Sequence, residues 1–157
     1  MKKLFELTMV AVFVSCVTTF AFSTGMERAA EIMAFEGKVS VKRAKDTKWD
    51  IAKKGMMLFQ GDAIKTESGS WAFLNVDGTG ETARVEISEN SNLTISELVK
   101  NEATGSQSTL LSLAIGEILI EAKKVHGPES SFEVKTPTSI VGVRGTKFGI
   151  KVEALED

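Results

Sequence analysis

Beyond residue 37 the chain alternates apolar and polar positions with a period of two, the repeat of a pleated strand with one face on a core. Val39 and Val41 stand between Lys38, Ser40 and Lys42 and read as a first half-buried strand. Residues 44–48 form a polar turn, after which Trp49 and Ile51 return to the core. Gly61-Asp62 is a tight turn leading into Ile64 and Thr66, and the Asp62 carboxylate is expected to accept backbone hydrogen bonds there. Ala72, Leu74 and Val76 face one way, while Trp71 and Phe73 face the other. Asp77-Gly78 is a hairpin turn, and the return strand points Ala83, Val85 and Ile87 inward and Thr82, Arg84 and Glu86 outward. Asn90-Ser91-Asn92 turns the chain again before Leu93 and Ile95.

Residues 110–120 are the most apolar run after the N-terminal segment. Gly116 in its middle, with the sets Leu111/Leu113/Ile115 and Ile118/Ile120, predicts a central strand kinked at the glycine and not a helix. Polar stretches at 100–108 and 123–130 predict exposed loops on either side. Next, Phe132 and Val134, and later Phe148, Ile150 and Val152, alternate with polar residues or glycine. Between these runs Thr136-Pro137 removes a backbone donor, and Gly142 and Gly145 permit a tight bend around Arg144. Residues 25–35 show no clear period and read as a tether or a helical turn. Short strands separated by turns predict an all-β sandwich, roll or short solenoid.

The N-terminus has a different character. Lys2 and Lys3 precede an apolar run over residues 7–22, broken by Ser15, Thr18 and Thr19, which is the pattern of an export signal helix. Ala21 and Ser23 suit cleavage after residue 23, with cleavage after Ala21 a close second. The expected organisation is a signal peptide at 1–23, a short tether at 24–33, a β domain at 34–153 and a tail at 154–157. Retention of the segment as an anchor, or a lipid on Cys16, are the alternatives that would tie the chain to a membrane. Localisation is otherwise expected in the periplasm or outside the cell. Residues 1–23 hold Lys2, Lys3 and Glu6, so their removal moves the net charge from −2 to −3. No basic cluster is dense enough to neutralise a row of phosphates, so nucleic acid is not an expected partner. Cys16 is the only cysteine, so the core and not disulfides must hold the domain.

The order of short motifs resembles the FecR domain family. They are Gly37-Lys38-Val39, Trp49, Gly55, Gly61-Asp62 and Thr66, then the Asp77-Gly78 hairpin, residues 91–95, Gly116, Thr136-Pro137, Val143-Arg144-Gly145-Thr146 and Phe148. The resemblance runs from about residue 34 to residue 152. It implies a non-enzymatic extracytoplasmic domain, whose best-known relatives sense a transporter outside the membrane and control an alternative sigma factor inside. With the expected export signal only residues 1–6 are expected to face the cytoplasm, so direct sigma-factor control is not an expected function.

Candidate chemistry is sparse. Nucleophilic hydrolysis needs a base beside the nucleophile, and the one histidine, His126, stands in a loop beside the turn residues Gly127 and Pro128, so no catalytic residue is expected. One histidine and no mature cysteine give zinc no suitable ligand set, and no cofactor is expected. Arg144 is expected to staple the fold, with Asp62 as its leading partner, because a planar five-donor guanidinium suits that task. The other family-signature residues, Gly37, Trp49, Gly61, Thr66, Gly116, Thr136, Pro137, Gly145, Thr146 and Phe148, are likewise expected to be structural. Trp71 and Phe73 are either core or an exposed aromatic strip for a sugar or a partner. The expected function is an envelope binding or scaffold module recognising a protein or an envelope glycan. The alternative is a small-ligand or ion sensor acting through a separate membrane partner. A sensor needs a concave polar pocket near Arg144, whereas a scaffold needs an unpaired strand edge or an apolar patch.

Overall fold

The structure is a computed structural model that describes residues 25–77, 82–123, 129–145 and 147–153. Every regular element in these residues is a strand. They are β1 (Gly25–Glu27), β2 (Ala30–Glu36), β3 (Val39–Lys42), β4 (Asp50–Ile51), β5 (Met57–Leu58), β6 (Ala63–Thr66) and β7 (Trp71–Val76). Then follow β8 (Ala83–Ile87), β9 (Asn92–Asn101), β10 (Gln107–Ala122), β11 (Ser131–Lys135), β12 (Ile140–Gly142) and β13 (Lys147–Val152). The main path of the sheet is β4-β3-β6-β9-β10-β8-β7-β2-β5, with β11 and β13 also on β10, β12 on β11 and β1 on β9. All pairs are antiparallel except β10 with β11.

The central strand is the 16-residue β10. Its first half lies between β9 and β11, and its second half between β8 and β13. The change of partners falls at Gly116, whose φ of 100° lies in the region that only glycine enters without strain. A Cβ there would sit 2.4 Å from the Ser91 Cα. Ser91 is in turn pinned: its Oγ accepts the Glu117 N–H at 3.0 Å, and its own N–H donates to Thr66 Oγ1 at 3.1 Å. Thr66 Oγ1 donates to Ser88 O at 2.6 Å. The sheet therefore turns a corner where β10 changes partners at Gly116, and it curls into a half-barrel.

One hydrophobic core fills the concave side. Val39, Val41, Ile64, Leu93, Ile95, Leu111 and Leu113 reach it from one limb, and Ile32, Leu74, Val85, Ile87 and Ile118 from the other. Phe132 and Val134 of β11 join them, while Phe148, Ile150 and Val152 of β13 pack half-buried against its margin. Burying each large side chain stabilises the fold by about 1.5–3 kcal/mol.

The tether expected at 24–33 is instead part of the sheet, since β1 pairs with β9 and β2 with β7. Ala30 and Ile32 are fully buried, and the register shift after Ile32 breaks the alternation that would have revealed the strand. Trp49 and Ile51 do not return to the core. Ile51 is 78% exposed on the short edge strand β4, and Ala52 takes the buried position. The loop expected at 100–108 shrinks, because β9 runs to Asn101 and β10 starts at Gln107. Ile115 leaves the Leu111/Leu113 face and is 38% exposed, because the bulge before Gly116 shifts the phase by one residue. The signal segment 1–23 and tail 154–157 lie outside the described residues.

Candidate functional site

The structure assigns the arginine staple differently from the sequence. Asp62 is buried, and its carboxylate accepts from Arg43 Nη1 at 2.6 Å, from the Ala44 N–H at 2.9 Å and from the Phe59 N–H at 3.0 Å. The ladder accounts for this choice: Lys42 opposes Ala63 across β3 and β6, so Arg43 leaves β3 beside Asp62. Arg144 is exposed at the bend between β12 and β13, and its side chain makes no ion pair or hydrogen bond with a described residue. β9, β10 and β11 stand between β6 and β12, each adding about 4.8 Å, so the two groups cannot meet.

A second staple escaped the sequence reading. Arg28, only 7% exposed, enters between the limbs and grips Asp77 with two bonds of 2.6 Å from Nε and Nη2. Nη1 donates to Thr109 Oγ1 at 3.0 Å, Ser108 O at 3.2 Å and Val99 O at 3.3 Å, and Nη2 reaches Thr82 Oγ1 at 3.2 Å. One guanidinium thus ties the start of β2 to the end of β7 and to β9 and β10. No local motif marks Arg28, because its partners lie 49 to 81 residues away.

The remaining signature residues shape turns. Gly37 has φ 78°, and its bare Cα lets Ser70 Oγ approach to accept the Lys38 N–H at 2.8 Å. Thr136 Oγ1 accepts the Ser139 N–H at 3.0 Å across the turn carrying Pro137, which joins β11 to β12. Gly61 precedes Asp62 in its turn, Gly145 bends the chain after Arg144, and Phe148 lines the core margin. Trp49 lies under the Lys42 ammonium, 5.4 Å from the ring centroid. Thr146 and His126 lie outside the described residues.

Among the described residues, two open surfaces offer apolar area with a polar rim. The first is the convex face of β2, β7, β8, β10 and β13. Here Trp71 and Phe73 form the exposed aromatic strip and not core: Phe73 is 37% exposed, and the two rings meet edge to face at 5.0 Å and 62°. The Trp71 indole N–H donates to Glu36 at 3.2 Å. Cross-strand register sets Ala34, Phe73, Glu86, Leu119 and Gly149 in one row. Asn75, Arg84, Glu121 and Lys147 form the next row. These rows bound a cavity of about 340 Å³.

The second surface is the fork where β11 and β13 leave β10. Among the described residues β12 pairs only with β11 and β13 only with β10, so each has an open edge. Between them lies a groove of about 590 Å³ floored by Ala114, Ile115, Val141, Ile150 and Val152. Thr136 to Ser139 on one side and Lys151 with Glu153 on the other supply a polar rim. Lys151 Nζ contacts Glu153 at 2.6 Å; this hydrogen bond raises the Lys151 pKa and lowers that of Glu153. Ile140 of β12 is 62% exposed beside the groove. The alternation marked Ile115, Ile150 and Val152 as apolar strand residues but not Ile140 and Val141 of β12, nor the grouping, because β12 and β13 meet only through β10 and β11.

No curated protein and no solved structure matches the chain. The model of the FecR protein family matches residues 62–157. Its match begins at Asp62, so the resemblance noted at Gly37, Trp49 and Gly61 lies upstream of it. Spanning more than half of the chain and including the corner at Gly116, the fork and Arg144, the match shows that this protein belongs to the FecR family.

Proposed function

We propose that the domain is a non-enzymatic extracytoplasmic binding module of the cell envelope that recognises a protein partner at the β12–β13 fork. The observation that carries this reading is the pair of open strand edges flanking an apolar groove. An open edge offers unpaired backbone donors and acceptors, to which an extended segment of another protein can add as a further strand. Exposed Ile140 and Val141, beside the groove, then offer apolar contacts that select the segment. The FecR family is associated with signal transduction and regulatory sensing, and a partner-binding edge is the part such a domain needs. The export pattern of residues 1–23 supports a location outside the cytoplasm.

A photo-cross-linking residue at Ile140 of the full chain, expressed in its own cells, tests the reading. A covalent adduct to a protein is expected from position 140, lost when Val141→Glu is added. None is expected from Lys45, which is exposed on the far limb. Absence of an adduct at Ile140 in envelope-localised protein would overturn recognition at the fork.

A further inference from the structure

We propose that the cavity on the convex face is a carbohydrate site, separate from the fork, which takes a neutral, hydroxyl-rich sugar. Its apolar part comes from Met33, Ala34, Phe73 and Leu119, with the exposed Phe73 ring placed to meet the C–H face of a pyranose. Around it stand four charged side chains of balanced sign: Arg84 and Lys147 as donors, Glu86 and Glu121 as acceptors.

Arg84 lies opposite Glu121 across β8 and β10, and Glu121 lies opposite Lys147 across β10 and β13. Neighbours at that spacing commonly pair. Here none of the four side chains makes an ion pair or hydrogen bond with any described residue. Their donors and acceptors are therefore available at the rim of an apolar floor. A hydroxyl both donates and accepts, so a sugar ring can use a lining that alternates the two roles. A strongly charged ligand would gain from one pair and be repelled by the other. The volume of about 340 Å³ is at the lower end of ligand pockets and suits roughly one or two sugar rings. Trp71, in edge contact with Phe73, extends the aromatic surface along the same face.

The test titrates protein made from the full chain with tetrasaccharides of N-acetylglucosamine, of glucose and of galacturonate, and with the dipeptide Gly-Asp, by calorimetry and by Trp71 fluorescence in a Trp49→Phe background. At least one neutral tetrasaccharide is expected to bind with a Kd of about 1 mM or tighter. Phe73→Ala, and Glu86→Gln combined with Glu121→Gln, should each weaken that binding about tenfold or more. Phe73→Tyr should keep it, as should Ile51→Ala on the other limb. Circular dichroism checks that the variants are folded, and the Tyr and Gln replacements preserve shape if Phe73→Ala does not fold. The proposal is overturned if neither neutral saccharide binds, if binding survives the Phe73 and glutamate replacements, or if galacturonate or the dipeptide binds best. Loss of the Ile140 adduct would not bear on this outcome, since the fork and the cavity share no residue.

Discussion

Arg28 and Arg144 carry the same guanidinium into opposite surroundings, and their energetic roles follow from burial and not from residue type. Arg28 spends its donors on Asp77, two hydroxyls and two carbonyls inside the protein. Arg28→Ala takes the guanidinium away from those groups and is expected to cost about 3–5 kcal/mol in denaturant unfolding, with Arg28→Lys recovering only part. Arg144→Ala should change stability by no more than about 0.5 kcal/mol, as exposed side chains away from buried networks do. Equal losses from the two alanine variants would contradict this assignment. At the surface, the Lys38 ammonium 2.8 Å from Glu67 holds that carboxyl below the usual range. A lowered folded-state pKa means that the pair favours the folded state above the unfolded carboxylate pKa and loses that effect as pH falls through the folded one. Both groups are exposed, so the sensitive readout is the titration itself. Lys38→Ala should move the Glu67 midpoint upward by NMR, and an unmoved midpoint would remove Lys38 as the cause.

Among the elements, β10 decides the shape of the domain, because it serves both limbs and bends between them at Gly116. A methyl group at this position meets the Ser91 backbone and imposes strain at positive φ. Gly116→Ala is expected to cost about 3 kcal/mol, read as a lowered urea midpoint with little change in slope. The phase shift at the bulge makes a second prediction. Ile118 is fully buried and Ile115 partly exposed, so Ile118→Ala should cost about 2–5 kcal/mol. Ile115→Ala should cost less than about 1 kcal/mol. Reversed costs would mean that the strand keeps a single phase through the glycine.

For the whole molecule, one core shared by two limbs implies one cooperative unit. The two tryptophans report on different limbs: Trp49 precedes β4 at one end of the main path, and Trp71 begins β7 near the other. Trp49→Phe and Trp71→Phe leave one fluorescent probe each. Once the stability change of each replacement is taken from circular dichroism, the fluorescence and dichroism midpoints should coincide within each variant. Separate midpoints would show that the limbs unfold independently and that the corner is a hinge between two units.

The period-two alternation by itself determined that the domain is all-β, which way most strand residues point, and that Gly116 interrupts a central strand. These are local properties, set by pleat geometry and by what glycine permits. Two failures of the local reading, at β2 and at Ile115, both fall at register shifts, where one added residue flips the faces without altering composition. The motif order also sufficed for the family, since turns with fixed backbone demands recur in sequence. Tertiary structure alone decided which arginine meets which aspartate, whether Trp71 and Phe73 are covered, and which side chains share a cavity or a groove. Each of these depends on strands distant in sequence becoming neighbours, and alternation specifies the face of a residue but not the strand beside it.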